Sequence, residues 1–580
     1  MRRWAGPLLG AAVGVVLLVR TWGTWPDVLV DFGGELYVPW RLAEGDVLYR
    51  DVAYFTGPLS PYFNAAVFRV FGASFLVLVV ANLVVLGGIA VLLHRCIARI
   101  AGALAAGVAL AVFLALFAFA QLESVGNSNY VCPYSHETTH GALLALCALE
   151  ALAAWLRTRK PAWIAGLGLL LGLAFLTKVE VFLAVAGAVL LGLALAFRRD
   201  RTGLARSGAI LLGCAVVPVL VAFAALATAM PAAGALEGTL GAWPYTLGGR
   251  VADLAFYRWV LGTDRPAENA AKMAASTGWW IAVFGAAAVA GVLARGNTAR
   301  KCLVGAVAGG ILLVIRPTPV GWIEAGRAFP ALVLALLLAW IVAAWRRDVE
   351  RAVSAAAFGC YALLLLAKMV LHARINMYGF ALAMPAAMLL VAALVGWIPE
   401  RIERAGGSGA LFRGFAIAVL AIAVANHLRI QESFLSRKTV VVGAGKDAFR
   451  ADARGAYVNA AVAAVQSAMR PGATLAVLPE GVMINFLARA KAPARYINYM
   501  PPEVIMFGED RILADFERTP PDLVAIVHKP TAEYGLPWFG ADYGARLMAF
   551  VGERYMPVGL IGGEPLRPET TFGIRILARK

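Results

Sequence analysis

Residues 31–45 read DFGGELYVPWRLAEG and lie between the first two apolar runs of the chain, at residues 4–21 and 75–93. The stretch combines charges of both signs with tyrosine and tryptophan, a composition typical of a membrane–water interface and not of a membrane-spanning helix. It forms the centre of a long polar loop, residues 22–74, which we name the first loop. The alternation of apolar runs with polar loops decides the fold class.

Apolar runs of membrane-spanning length recur along most of the sequence. Hydrophobic residues make up 61% of the 580 positions and charged residues 15%, against roughly a quarter charged in soluble domains. A helix needs about 20 mostly apolar residues to cross a bilayer. Thirteen such runs occur, at residues 4–21, 75–93, 101–120, 141–156, 161–177, 181–197, 206–230, 278–294, 302–315, 328–345, 352–370, 379–397 and 414–428. We therefore predict an all-α polytopic membrane protein with about 13 transmembrane helices.

The positive charges predict how the chain is oriented. A net charge of +17 first suggests a nucleic-acid partner, but the bases cluster in short loops on alternate sides, as at Arg157–Lys160 and Arg300-Lys301. Such loops stay in the cytoplasm, whereas the first loop has six acids against three bases. We therefore expect no nucleic-acid partner. The prediction is a multi-pass protein of the inner membrane with a cytoplasmic N-terminus and a periplasmic or extracellular C-terminal end.

Two domains are expected. Residues 1–428 form the membrane body, and residues 429–580, here called the C-terminal region, are predicted to be a small α/β domain. In it, residues 474–479, 522–528 and 572–579 have the pattern of buried strands, and residues 452–469 and 502–517 have helical periodicity. Its loops Leu478–Gly481 and Asn498–Glu503 fit contact with an acceptor glycan, although turn chemistry explains them equally well.

Two more loops on the outer side are longer than simple turns, residues 121–140 and 231–277, which we name the second and third loops. Loops of more than about 12–15 residues are usually functional or disordered. Their aromatic, glycine and proline content indicates ordered segments folded on the membrane surface.

The first loop resembles the first outer loop of GT-C membrane glycosyltransferases. The similar branch, glycosyltransferase family 39-like, includes protein O-mannosyltransferases, the aminoarabinose transferase of lipid A and lipid A galacturonosyltransferases. In it, an acid outside the first span is followed by a helix ending like Arg41–Gly45 and by a turn like Gly57–Leu59. Counting back without a gap places the family's acid on Asp31. Phe32 stands where a second acid is common, and Glu35 follows three residues later.

This resemblance implies a GT-C fold and an inverting transfer of sugar from a polyprenyl-phosphate donor. The acceptor would be a lipid, a glycan or a protein on the outer face. No cofactor is required, and a divalent metal ion is left open. Within this reading Asp31 is the expected base, Glu35 an auxiliary acid, and Gly33 and Gly34 leave room for a sugar beside Asp31.

The chemistry also needs cations where the phosphate leaves. Lys178, Lys368, Arg374 and Arg327 stand at the ends of predicted spans, where ionisable groups commonly mark sites, although each could instead snorkel to lipid headgroups. Further candidates for substrate contact are aromatic residues and a histidine, namely Tyr37, Tyr62, Tyr378 and His136. An interfacial aromatic belt explains the tyrosines equally well.

Residues 136–140 of the second loop form a competing motif, His-Glu-Thr-Thr-His. On a helix the two histidines share a face and can hold zinc, with Glu137 as the base of a metalloprotease. A catalytic zinc requires a third protein ligand, and none follows at a recognisable spacing, so no metal ligand is assigned. The alternatives are a polar helix start with a structural or substrate-contact role, and a catalytic auxiliary such as Glu137 or a metal ligand within a glycosyltransferase.

Two other functions stay open besides transfer. A carrier or flippase for lipid-linked saccharides would use the same cations without chemistry, and a membrane zinc protease would use residues 136–140. A cytosolic enzyme acting on nucleotide sugars is not favoured, because no phosphate-binding glycine loop follows a strand.

The charge asymmetry gives a testable topology. Cysteines introduced near residues 45 and 535 should react with a membrane-impermeant maleimide in intact cells. Cysteines introduced near residues 159 and 300 should react only after the membrane is opened. Labelling near residue 159 from outside would reverse the predicted orientation.

Overall fold

The computed structural model describes residues 5–198, 201–315, 322–346 and 350–580. Within them, helices follow one another as far as Leu435, and the first strand begins at Val440. The α-helices are α1 Ala5–Arg20, α2 Phe32–Ala43, α3 Leu59–Phe71, α4 Phe75–Ala101, α5 Ala103–Phe113, α6 His136–Thr158, α7 Pro161–Phe175, α8 Val179–Ala196, α9 Leu204–Ala227, α10 Ala232–Leu240, α11 Trp243–Gly248, α12 Ala255–Leu261, α13 Pro266–Leu293, α14 Ala299–Ile315, α15 Phe329–Arg346, α16 Glu350–Leu366, α17 Gly379–Leu382, α18 Met384–Ala392, α19 Ile398–Arg404, α20 Gly409–Leu435, α21 Arg454–Ala468, α22 Met483–Ala488, α23 Pro501–Phe507, α24 Glu509–Arg518 and α25 Ala545–Arg554. The strands are β1 Val440–Val442, β2 Phe449–Ala451, β3 Leu475–Leu478, β4 Leu523–Val527, β5 Tyr555–Gly562 and β6 Gly573–Arg579.

Every predicted apolar run overlaps a helix, from α1 for residues 4–21 to α20 for residues 414–428. Among the described residues, nine helical stretches are long and apolar enough to cross a membrane. Three shorter apolar helical stretches accompany them, Gly6–Arg20 in α1, Ala103–Ala118 beginning with α5, and Pro161–Phe175 in α7. The predicted all-α polytopic membrane fold is therefore confirmed. α6 begins at His136 and not at residue 141, so the histidine motif forms its first turn.

Close helix packing holds the membrane body together, as between α14 and α20. A Cβ atom added at Gly414 of α20 would lie 2.0 Å from the carbonyl oxygen of Cys302 in α14, so only glycine permits this approach. Small residues at such contacts are typical of membrane helices, which associate through close backbone packing.

The C-terminal region contains a four-stranded sheet with the order β3-β4-β6-β5. β3 and β4 are parallel, and β6 runs antiparallel to both β4 and β5. Three of these strands, β3, β4 and β6, coincide with predicted ones. The expected single helix at residues 502–517 is wrong, because Gly508 with φ +84° separates α23 from α24. β1 and β2 form a separate antiparallel pair.

The C-terminal region packs directly on the first loop, through α22 and α2. A Cβ atom added at Gly33 would lie 2.5 Å from the backbone nitrogen of Met483. The expectation that Gly33 leaves room for a sugar is therefore wrong, because the backbone of α22 fills this space. Gly34 has no atom within 4 Å of the equivalent position, so the open space lies beside Gly34.

This contact predicts opposite results for adjacent glycines. Gly33→Ala should lower the thermal unfolding midpoint of the purified protein, because overpacking costs about 1–3 kcal/mol. Gly34→Ala is the matched control and should leave the midpoint unchanged or raise it, because alanine favours a helix by up to about 1 kcal/mol over glycine. Equal midpoints for the two variants would contradict the close packing of α2 on α22.

Candidate active site

A cavity of about 370 Å³ lies where the three loops meet the C-terminal region. The third loop contributes Phe256 and Tyr257, and the C-terminal region contributes residues from Glu480 to Tyr534. Six of the sequence-predicted site residues line the cavity, namely Asp31, Glu35, Glu137, Lys178, Lys368 and Tyr378. The other five do not line it, namely Tyr37, Tyr62, His136, Arg327 and Arg374.

Hydrogen bonds to the backbone of the residues just before Asp31 hold it in place. Asp27 accepts hydrogen bonds from the backbone N–H groups of Leu29 and Val30, both at 3.0 Å. Asn127 of the second loop accepts from the Asp27 N–H and donates to the Val30 carbonyl, both at 2.8 Å. The chain then turns into α2 at Asp31, whose φ is 54°. These bonds fix where the Asp31 carboxylate enters the cavity.

The Asp31 side chain is open to the cavity. Among the described residues its carboxylate has no hydrogen-bond partner, while its backbone N–H donates to Glu480 Oε1 at 3.3 Å. Loss of hydration within the cavity, followed by the negative charge of Glu480, raises the pKa of Asp31 to about 8. Lys529, 3.3 Å from Glu480 Oε2, opposes this rise. Asp31 is therefore a free carboxyl group that titrates close to neutral pH.

Glu35 has a fixed orientation because of the buried His136. Asn82 donates through Nδ2 to the Val131 carbonyl at 2.8 Å and lies with the same nitrogen 2.9 Å from His136 Nε2. Since this amide nitrogen can only donate, His136 Nε2 must accept. The imidazole proton is therefore on Nδ1, which donates to Glu35 Oε2, as does the His136 backbone N–H at 3.1 Å. Burial raises the pKa of Glu35 to about 8.

The remaining members of the histidine motif are also engaged. Glu137 accepts from the hydroxyls of Tyr54 and Ser135, both at 2.6 Å. His140 Nδ1 lies 3.0 Å from Ser60 Oγ. Within the described part of the chain, no three His, Cys, Asp or Glu side chains are arranged to hold a metal ion. The residues present do not fit a zinc centre, because His136 uses both ring nitrogens for Glu35 and Asn82.

Two lysines and one glutamate form a cluster beside the N-terminus of α8. Lys178 is buried and donates to the hydroxyls of Tyr134, Ser135 and Thr138 at 3.0–3.3 Å. Glu180 accepts from Lys368 at 2.7 Å and lies 3.9 Å from Lys178. The Lys368 ammonium also lies 5.0 Å from the centroid of the Tyr378 ring. The three charged groups carry a net charge of +1.

The two arginines lie outside the cavity. Arg327 is buried and bound to Glu324 at 2.8 Å, to Asn269 at 3.0 Å and to the Leu371 carbonyl at 3.2 Å. Arg374 is buried with its guanidinium carbon 3.8 Å from the centroid of the Trp259 ring. Burial lowers the pKa of Arg374 to about 10. Arg327 therefore links neighbouring segments of the membrane body.

The two tyrosines outside the cavity hold the loops in place. The Tyr37 hydroxyl accepts from Arg41 at 2.9 Å and from the Ala492 backbone N–H at 2.7 Å, which joins α2 to the C-terminal region. The Tyr62 hydroxyl accepts from the Leu48 backbone N–H at 3.2 Å. Both hydroxyls therefore stabilise contacts of the first loop outside the cavity.

The structure adds charged residues that sequence reasoning did not assign, among them Glu480 and Lys529. Both line the cavity from the C-terminal region and lie more than 400 positions from Asp31. The sequence does predict that Glu480 lies in a loop directly after a strand. Its partner at Asp31 depends on how the C-terminal region packs and cannot be read from local pattern.

Comparison with known proteins identifies the fold. No protein-family model matches the sequence, and no curated protein matches it in sequence. ArnT from Cupriavidus metallidurans bound to undecaprenyl phosphate is similar in structure, with a TM-score of 0.52, 13% identity and coverage of 99% of this chain and 98% of ArnT. AglB from Archaeoglobus fulgidus with an inhibitory peptide and a dolichol-phosphate gives 0.52 at 12% identity, covering 100% of this chain and 74% of AglB. The same organism's oligosaccharyltransferase in complex with Zn and sulfate gives 0.52 at 13% identity, covering 98% and 73%. These neighbours are GT-C glycosyltransferases, so the chain has the GT-C fold.

The titration of Asp31 tests the site without a substrate. Titratable or charged groups that act on Asp31 come from several elements, namely Asp27, Glu35, Glu480, Glu503, Lys529, Tyr257, Tyr378 and Tyr534. In infrared difference spectra of wild type minus Asp31→Asn, the protonated carboxyl band should disappear with a midpoint near pH 8. Glu480→Gln removes a negative neighbour, so the midpoint should fall.

The matched control is Glu564→Gln, which removes a carboxylate of the same region that pairs with Arg575 outside the cavity. It should leave the Asp31 midpoint unchanged. An Asp31 midpoint that stays the same or rises in Glu480→Gln would contradict the contact between Glu480 and Asp31.

Proposed function

We propose that this protein transfers a sugar, with inversion, from a polyprenyl-phosphate donor to an acceptor on the outer face of the membrane. The observation that carries the proposal is the content of one cavity in a GT-C fold. It holds a carboxylate with no described hydrogen-bond partner, Asp31, together with a net positive cluster around Lys178 and Lys368. A base and a phosphate site are the two groups this chemistry requires.

The base acts on the acceptor. The acceptor hydroxyl oxygen attacks the anomeric carbon of the donor sugar and forms the new glycosidic bond. The bond from that carbon to the phosphate oxygen breaks, and its electron pair goes to the phosphate. The hydroxyl proton passes to the Asp31 carboxylate. A single displacement of this kind inverts the anomeric configuration, and a base whose pKa lies near the working pH is best suited to it.

The lysine cluster acts on the phosphate. In the donor the phosphate is a diester with one negative charge, and further charge develops on it as the sugar leaves. Lys178 and Lys368 lie where they can stabilise that charge, and Glu180 holds the two ammonium groups close together. The Tyr134 hydroxyl accepts from Lys178, so its own proton is free to donate to a phosphate oxygen. We leave Arg327 and Arg374 out of this site because both lie outside the cavity.

The neighbouring structures support the class of donor. The ArnT structure contains undecaprenyl phosphate and the AglB structure contains a dolichol-phosphate, which are both polyprenyl phosphates. The AglB structure also contains an inhibitory peptide. For this chain we propose a glycosyl polyprenyl phosphate as donor and a lipid, glycan or protein as acceptor. We route no step through a metal ion, because the described residues do not assemble a ligand set for one.

The location follows from the charge pattern. We propose that the cavity opens on the outer side of the inner membrane, with the N-terminus in the cytoplasm. A phosphate bound at the start of α8 would then lie at the level of the lipid headgroups, with its prenyl chain in the bilayer. This arrangement supports a lipid-linked donor over a soluble one.

The base predicts a large loss of rate on substitution. With radiolabelled glycosyl undecaprenyl phosphates and membrane acceptors, Asp31→Asn should lower the rate of transfer on the order of 10²–10⁴-fold. Donor binding should be nearly unchanged, because asparagine keeps the shape of the side chain. Glu35→Gln should cost less. Asp253→Asn, an exposed carboxylate of the third loop outside the cavity, is the control and should be fully active.

Full activity of Asp31→Asn together with loss of activity in Glu35→Gln would assign the base to Glu35. Full activity of both would favour the carrier or flippase.

The phosphate site predicts a different kinetic result. Lys178→Ala and Lys368→Ala should raise the apparent Kd for undecaprenyl phosphate on the order of 10- to 100-fold, as expected for a lost charge-assisted hydrogen bond. Lys301→Ala is the control, because Lys301 also stands at a helix end but bonds to the Gly296 carbonyl outside the cavity. Unchanged affinity in both cavity variants would leave snorkelling as the role of these lysines.

A further inference from the structure

The wall of the cavity contributed by the C-terminal region contains polar atoms that lack partners. Asn498 Nδ2 donates to Glu503 Oε1 at 2.9 Å. Asn498 Oδ1 and Glu503 Oε2 are both buried without a hydrogen-bond partner among the described residues. Both residues line the cavity.

Such atoms need an explanation, because buried polar groups are nearly always paired. An unpaired buried acceptor is destabilising, and here two occur in neighbouring residues that line one cavity. They fit a ligand that supplies hydroxyl groups. Burial raises the pKa of Glu503 to about 8, so this carboxyl group can either accept from a hydroxyl or donate to one.

The two loops of the C-terminal region that the sequence analysis considers for glycan contact, Leu478–Gly481 and Asn498–Glu503, form one wall of the cavity. The Tyr499 backbone N–H donates to the Pro479 carbonyl at 2.9 Å and ties residues 498–503 to residues 478–481. Glu480, in the loop of residues 478–481, accepts a hydrogen bond from the Asp31 backbone N–H. The wall therefore lies beside the proposed base, while the lysine cluster is built by helices of the membrane body.

Aromatic rings complete this side of the cavity. Tyr534 packs against Phe256 of the third loop with ring centroids 5.2 Å apart, and Phe256 packs against Tyr378 at 6.1 Å. Tyr496 packs against Phe507 at 5.2 Å. Amphipathic rings beside a few placed polar atoms are typical of small-molecule sites.

We propose that Asn498 and Glu503 form a subsite that binds the hydroxyl groups of a saccharide acceptor. This assignment rests on the proposed function and names its acceptor class. A base must touch the acceptor hydroxyl, so groups on the wall beside the base contact the acceptor and not the donor phosphate. A hydroxylated peptide is the other acceptor class that the test addresses.

The test separates acceptor from donor. In the transfer assay with undecaprenyl-phosphate sugars, Asn498→Ala and Glu503→Gln should each raise KM for a glycan acceptor roughly 10-fold, the value of about one hydrogen bond. The KM for donor and the kcat should change little. An increase in donor KM alone would place the transferred sugar in this subsite and overturn the assignment. Transfer to Ser- or Thr-containing peptides with no transfer to glycans would also overturn it.

A stability measurement distinguishes failure of this subsite from failure of the proposed function. Groups left unpaired for a ligand do not stabilise the fold, so Glu503→Gln should keep or raise the thermal unfolding midpoint. Asn485→Ala is the structural control. Its Nδ2 donates to the Leu475 and Ala490 carbonyls at 2.8 and 3.0 Å, so this change should lower the midpoint. A midpoint for Glu503→Gln that falls as far as that of Asn485→Ala would make Glu503 structural, whether or not the protein transfers sugar.

Discussion

The buried ion pair between Asp27 and Arg454 is the constraint on which the site depends. The Asp27 side chain is 1% exposed and lies 2.6 Å from Arg454 in α21. Burial alone would raise its pKa, but Arg454 and two backbone N–H groups lower it, so this carboxylate stays charged at neutral pH. Asp27 also shapes the turn that leads to Asp31, because it accepts the hydrogen bonds of Leu29 and Val30. Together with the contacts of Gly33 with Met483 and of Tyr37 with Ala492, this pair ties the C-terminal region to the first loop, beside the turn that positions the proposed base.

The cavity is a meeting point of segments that are distant in sequence. The first loop supplies Asp31, the start of α8 supplies Lys178, and the C-terminal region supplies Glu480. Each group is held by different neighbours. Asn127 fixes the turn before Asp31, three hydroxyl groups accept hydrogen bonds from Lys178, and Lys529 pairs with Glu480. This division fits the proposed chemistry, in which the lysines at the helix ends would bind a lipid phosphate and the C-terminal region would contact the acceptor beside the base.

The sequence predicts the helices well because their signal is local. A membrane span needs only a long apolar run, and all 13 runs overlap helices. Strand β5 was not predicted, since Pro557 and Gly559 interrupt its pattern at a bulge. Lys178 and Lys368 were predicted because charges beside apolar runs stand out, and Asp31 was predicted from the resemblance of the first loop. All three line the cavity. Glu480 and the role of Gly33 could not be found, because both depend on contacts made more than 400 positions away. Arg374 carries the same local signal as Lys368, yet it stacks on Trp259 outside the cavity.

The central claim is that one cavity holds a lipid phosphate beside a carboxylate base. An electron cryomicroscopy structure with undecaprenyl phosphate tests it most directly. We expect the phosphate within about 3 Å of the ammonium groups of Lys178 and Lys368, the usual hydrogen-bond distance, with the prenyl chain leaving along the membrane helices and the Asp31 carboxylate facing the phosphate. A phosphate bound outside this cavity, with the lysine cluster unchanged, would contradict the account.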